Sequence, residues 1–262
     1  MRKHILYFSV IIPLFFACSD SKPQKESVEE EVPQAQMNQI ESPESQQIVV
    51  VSIPHWDAVE GQLSRYEWSG NGWKEVGTAW PIVVGKSGMA WGKGNQHFSG
   101  VEGPMKKEGD KRSPAGIFKL GSAFGYSEAP NWVSMPYIQV VSTTMCIEDG
   151  NSNFYNQIID EGEEDPDWNS TDHMLRKDDL YEWGVFVAHN SPDAQAGKGS
   201  CIFLHVWRQH DSGTAGCTAM DKGKMQELIK WLDPSKKPLL LQMPENVPEF
   251  AFSKKELNLP DA

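Results

Sequence analysis

The sequence predicts a mostly β domain with one or two helices, and three observations carry that prediction. Short runs of β-branched and aromatic residues recur between clusters of Gly, Pro, Asn and Ser. A single segment shows a clear helical face. The stretch from Ile48 to about Pro248 is rich in Trp and other aromatics and is long enough for one well-filled core.

In chain order, the expected strands are Ile48 to Ile53, Leu63 to Trp68, Pro81 to Val84, Tyr137 to Val141, Gly184 to Ala188 and Cys201 to Val206. Ser69-Gly70-Asn71-Gly72 reads as a hairpin turn after the second of them. The helix begins at Asp221 as N-cap and places Met225, Leu228, Ile229 and Leu232 on one face, and Pro234 ends it. Pro238 to Met243 gives one more strand. Lys254 to Ala262 carries no packing signal, so the domain is bounded at 48–248, with 249–262 as a tail.

Between Cys146 and Asp179 lies a long polar segment dense in Asp and Glu. It reads either as a lid or binding loop or as a solvated acidic excursion. It lacks the alternating Asp/Asn, central Gly and distal Glu of a calcium-binding EF-hand loop. No Cys or His spacing suits a structural zinc, and neither metal nor cofactor is expected.

The N-terminus reads as an export signal over residues 1–17: Arg2, Lys3 and His4 precede an apolar run from Ile5 to Ala17. That run is too short and wrongly flanked for a transmembrane helix. Cleavage after Ala17 leaves Cys18 first, which resembles bacterial lipoproteins, whose N-terminal cysteine is acylated. The resemblance implies anchoring to a membrane, and Ser19 and Asp20 suggest the outer membrane of a diderm. Residues 18–47 are rich in Glu, Gln, Ser and Pro and read as a disordered acidic tether.

The net charge of -12, with no balancing basic stripe, argues against a nucleic-acid partner. Apart from Cys18, the cysteines are Cys146, Cys201 and Cys217, an odd count in a compartment that permits disulfides. One therefore stays free or pairs outside the chain. A bond between Cys146 and Cys201 would leave Cys217 free.

The chemistry concentrates in two stretches. Gly199-Ser200-Cys201-Ile202-Phe203-Leu204-His205-Val206-Trp207-Arg208 delivers His205 near the end of a strand. Ser212-Gly213-Thr214-Ala215-Gly216-Cys217-Thr218 then presents Cys217 from a loop of small residues ahead of the helix. A free thiol titrates near about 8.5, and an adjacent imidazolium would stabilise the thiolate nucleophile. Gly216 would let a substrate carbonyl approach backbone N–H groups at the helix start, forming an oxyanion hole. By alternation Cys201 falls on the strand face of His205.

These residues resemble the YkuD-type L,D-transpeptidases, whose signature is a strand-borne His followed by Ser/Thr-His-Gly-Cys. Thr214-Ala215-Gly216-Cys217 occupies that signature, with Ala215 in place of its His. Ala219 stands where Arg or Asn is usual, and the His-to-Cys interval is shorter than usual. Ser113-Pro114-Ala115-Gly116-Ile117-Phe118 looks like the family's T-P-x-G-x-F turn. The resemblance spans about Ile48 to Met243 and marks a divergent branch.

It implies a catalytic β-sandwich or β-barrel-like domain, acting as a monomer on peptidoglycan stem peptides in the cell envelope. Cys217 would be the nucleophile and His205 the base, oriented by a backbone carbonyl at Val206 or Trp207. Thr214 would be a supporting hydroxyl. Arg208, His210, His189 and His173 are candidate substrate contacts, each weighed against a solvated or structural role. Transpeptidase, thiol carboxypeptidase or crosslink-releasing hydrolase, and non-catalytic peptidoglycan-binding lipoprotein all remain open.

Overall fold

The computed structural model describes residues 44–95, 101–160, 162 and 165–260. The expected signal segment 1–17, the lipidation candidate Cys18, nearly all of the 18–47 tether and the last two residues lie outside the described residues. The strands are β1 (Gln47–Ile53), β2 (Glu60–Trp68), β3 (Trp73–Glu75), β4 (Trp80–Val83), β5 (Met89–Trp91), β6 (Ser113–Gly125) and β7 (Tyr137–Gln139). After them come β8 (Thr144–Ile147), β9 (Ile158–Asp160), β10 (Thr171–His173), β11 (Trp183–Val187), β12 (Phe203–Val206), β13 (Thr218–Met220) and β14 (Leu239–Pro244). The helices are α1 (Lys222–Trp231), before β14, and α2 (Pro248–Glu256), after it.

The main sheet runs β1-β14-β6-β11-β12-β13-β4-β2 and closes where β2 pairs back onto β1. The domain is thus mostly β and barrel-like, with two helices, as the sequence predicts. Closure leaves these strands no open edge. Ile48, Val49, Val51 and Ile53 are all fully buried, which is why β1 reads as an unbroken apolar run without alternation. The expected hairpin turn joins β2 to β3, with Trp68 opposite Trp73 and Ser69 N–H donating to Gly72 O.

Asp221 caps α1 by accepting from the N–H groups of Gly223 and Lys224. Met225, Leu228 and Ile229 on its inner face are fully buried, each contributing about 1.5–3 kcal/mol of hydrophobic stabilisation. The helix packs over β11 and β12 and so backs the strand that carries His205.

Several local expectations are corrected. Ser113 to Phe118 opens the 13-residue strand β6 rather than forming a turn. Pro114 is tolerated because it lies at the strand start, and its carbonyl accepts from Gln242 Nε2 at 2.8 Å. β13 intervenes between Cys217 and α1, so the cysteine is not at a helix N-terminus. Three residues are too few to show a period of two. Cys201 precedes β12 with φ at +55°, outside the strand itself, but its side chain still joins the Phe203 and Tyr181 cluster on the His205 side.

The terminal stretch does not behave as a tail. α2 packs on β14, Ser253 and Leu259 are buried, and Leu257 O accepts from Trp73 Nε1 at 2.8 Å. Its apolar residues do not share one face, which hides the helix from pattern reading. At the other end the ordered domain starts before Ile48: the buried Gln47 side chain donates to Trp231 O and accepts from Asp233 N, both at 2.8 Å.

The acidic segment folds into a sheet of its own, ordered β10-β8-β9. Its carboxylates hold turns: Asp149 accepts from the backbone N–H groups of Asn151 and Asn169, and Asp167 from that of Asn153. A Cys146–Cys201 disulfide, with Cα atoms 5.9 Å apart, ties β8 to the entrance of β12. Cys217 is the free cysteine among the described residues.

Candidate active site

Pairing of β12 with the parallel β13 sets Leu204 opposite Thr218 and His205 opposite Ala219, so Cys217 arrives beside the strand bearing His205. Alternation sends Leu204 into the main core. Phe203 faces the other way, into a second cluster with Cys217, Tyr181, Met174 and the disulfide. His205 follows Phe203 on that face, and its ring meets Tyr181 edge-on with centroids 5.2 Å apart. The acidic segment, contributing Cys146 and Met174, covers this side of the barrel.

His205 Nδ1 lies 2.7 Å from Val206 O. A carbonyl can only accept, so Nδ1 carries the hydrogen and Nε2 keeps a lone pair for a proton. Cys217 Sγ accepts from Phe203 N–H at 3.3 Å and lies 3.6 Å from Cys201 O. The Cys217 carbonyl accepts two hydroxyls, Ser113 Oγ at 2.8 Å and Thr214 Oγ1 at 2.6 Å. Ser113 Oγ in turn accepts from Gly85 N–H, and Thr214 Oγ1 from Gly216 N–H. The nucleophile candidate is thus held by its backbone from both sides. The Gly216 N–H is committed to Thr214, and β13 separates Cys217 from the helix-start N–H groups expected to form an oxyanion hole.

His205 and Cys217 share the walls of a cleft of about 200 Å³. A larger hollow, about 790 Å³ beside Lys119, Met135 and Pro238, is lined by neither His205 nor Cys217. Burial pushes the imidazole down to about 4 and the thiol up to about 12, the latter despite the Phe203 N–H. Against the expected thiolate–imidazolium pair, burial, the largest cause for each group, favours the neutral imidazole and the neutral thiol. Proton transfer therefore has to accompany attack on a substrate.

A family model for the L,D-transpeptidase catalytic domain, YkuD, matches residues 48–240. The chain belongs to the YkuD family. No curated protein matches it. Among solved structures it is similar to the helical cell shape determining protein Pgp2 from Campylobacter jejuni, at 14% identity and a TM-score of 0.40. A point mutant of that protein matches at 14% identity and a TM-score of 0.38. Each match covers 78% of this chain and 49% of the other, so this chain spans about half the length of that protein.

Around the YkuD site, Arg176 at the end of the acidic segment and Leu180 and Tyr181 just after it form one wall. Tyr181 lines the cleft and donates its hydroxyl to Asp172 at 2.6 Å. Asp172 lies 3.6 Å from Arg176, which pairs with Asp178 at 2.8 Å; Asp178 also takes Arg208 at 2.7 Å. This chain of charges couples the segment to the loop between β12 and β13. Arg208 and Trp207 both line the cleft.

The other histidines do not join the cleft. His189 is buried; its Nδ1 accepts from Lys93 N–H at 3.3 Å and its Nε2 lies 2.9 Å from Lys198 O, a structural role. His173 is exposed at the end of β10, while its neighbour Asp172 turns inward. His210 borders a separate hollow with Glu60 and Glu245. Sequence reasoning missed Lys86, Arg176 and Tyr181. The one available signal was the placement of Arg176 near the end of an acidic run, with Tyr181 just after it.

Proposed function

We propose that this YkuD domain is an envelope L,D-transpeptidase that works through a thioester on Cys217. The observation that carries this reading is the shared cleft: Cys217 and His205 line it together, with Nδ1 held by Val206 O and Nε2 left as proton acceptor. Cys217 Sγ attacks the carbonyl of the diamino acid at the third stem position while His205 Nε2 takes the thiol proton. The proton passes to the departing amine, D-alanine leaves, and an acyl thioester remains. A side-chain amine of another stem then attacks the thioester, gives its proton to His205, and restores the thiol.

The export signal and Cys18 support attachment to the periplasmic side of the envelope, in the outer membrane. Among the described residues no helix is long and apolar enough to cross a membrane. The neutral, buried thiol favours one competitor, a non-catalytic peptidoglycan-binding lipoprotein.

Incubation with a carbapenem followed by mass spectrometry separates the two. Wild type is expected to gain the mass of one adduct and Cys217→Ala none, whereas unlabelled wild type would leave the binding protein standing. Muropeptide products then distinguish the chemistry. Crosslinked dimers indicate a transferase, and tripeptides alone indicate a carboxypeptidase.

A further inference from the structure

We propose that Lys86 is a specificity-determining residue that binds a free carboxylate on the acyl donor. This rests on the acyl-transfer reading of the cleft. Three cations line that cleft, Lys86, Arg176 and Arg208, and no acidic side chain does, although the chain carries a net charge of -12. A cleft whose sign opposes that of the whole protein concentrates anions.

Two of the three cations are neutralised from behind, Arg176 by Asp172 and Asp178, and Arg208 by Asp178. Lys86 forms no ion pair among the described residues, so its charge is the one left to a ligand.

Its position is fixed relative to the nucleophile. Lys86 N–H donates to Thr214 O at 2.9 Å, and Thr214 N–H to Val84 O at 2.9 Å. Packing there is so close that a Cβ on Gly213 would lie 2.9 Å from Lys86 Cα. The Lys86 backbone is therefore fixed against the loop that ends in Cys217, and its exposed side chain lines the cleft beside it. An anchor of three rotatable donors on a flexible stem suits a carboxylate without demanding one orientation.

The two carboxylates of a stem-peptide donor that flank the scissile bond are the terminal one and the one on the diamino-acid side chain. Three donors test the assignment: a tetrapeptide, its C-terminal amide, and the same peptide amidated on the diamino acid. Acylation kcat/KM would be measured for wild type, Lys86→Ala and Lys86→Arg, with the thioester on Cys217 followed by mass spectrometry.

One amidation is expected to cost wild type about tenfold, equivalent to about 1.4 kcal/mol. Lys86→Ala should erase that discrimination and Lys86→Arg should keep most of it. The amidation that matters identifies the carboxylate. Equal rates for all three donors in wild type, or the same penalty in Lys86→Ala, would overturn the assignment while leaving acyl transfer intact. No thioester with any donor would remove both.

Discussion

The double anchoring of the Cys217 carbonyl gives a prediction that can be worked through in numbers. Ser113 is fully buried, and its hydroxyl links Gly85 N–H to Cys217 O. Ser113→Ala leaves the buried Gly85 N–H without a partner, while Cys217 O keeps Thr214 Oγ1; an orphaned group of this kind costs about 1–3 kcal/mol. Thr214→Val orphans Gly216 N–H instead, at a smaller cost of about 1 kcal/mol, because Thr214 is half-buried and water can reach it. In the double variant the carbonyl loses both hydroxyls, so the loss should exceed the sum of the single losses by about 1–2 kcal/mol. Urea unfolding of the chain without its first 18 residues, with unchanged slope, measures each value. Losses that add to within about 0.5 kcal/mol would show that the two hydroxyls do not share the carbonyl and would refute the anchoring argument.

Three further outcomes are expected. Because the imidazole of His205 titrates near 4, acylation should keep its base down to mildly acid pH, with the acid limb of kcat/KM near 4; a limb at 6 to 7 would mean a solvated imidazole. His205 and His189 both move from 6.5 to about 4 on folding, so the unfolded chain binds more protons in between. Stability is then full above about 6.5 and falls as pH drops towards 4, by on the order of 3 kcal/mol per histidine; His205→Gln should remove its share from urea titrations run across that window. The Cys146–Cys201 bond closes a loop with a sequence separation of 55, so reduction should destabilise the protein by about 4 kcal/mol, read as a fall in Tm with dithiothreitol that Cys201→Ser reproduces without reductant.

The barrel strands β1, β2, β4, β11, β12 and β14 were legible because their apolar runs lie between turn residues, and α1 because Asp221, its spaced apolar face and Pro234 all act locally. β6 was hidden by Pro114 and Gly116, which read as a turn until β5, β11 and β14 are in place to pair with it. β13 and the strands of the acidic segment are three or four residues long, too short for a period to register.

At the site, the sequence by itself singled out the candidate pair and its loop, since the strand carrying His205, the small residues after it and Cys217 lie within one short stretch. Only the tertiary structure decided what surrounds that pair. Lys86, Ser113, Tyr181, His205 and Cys217 meet because the sheet closes on itself and the disulfide draws the acidic segment across its outer face. It also decided the charge state of the pair. A pKa reports how much water reaches a group, and that depends on chain segments far away in sequence.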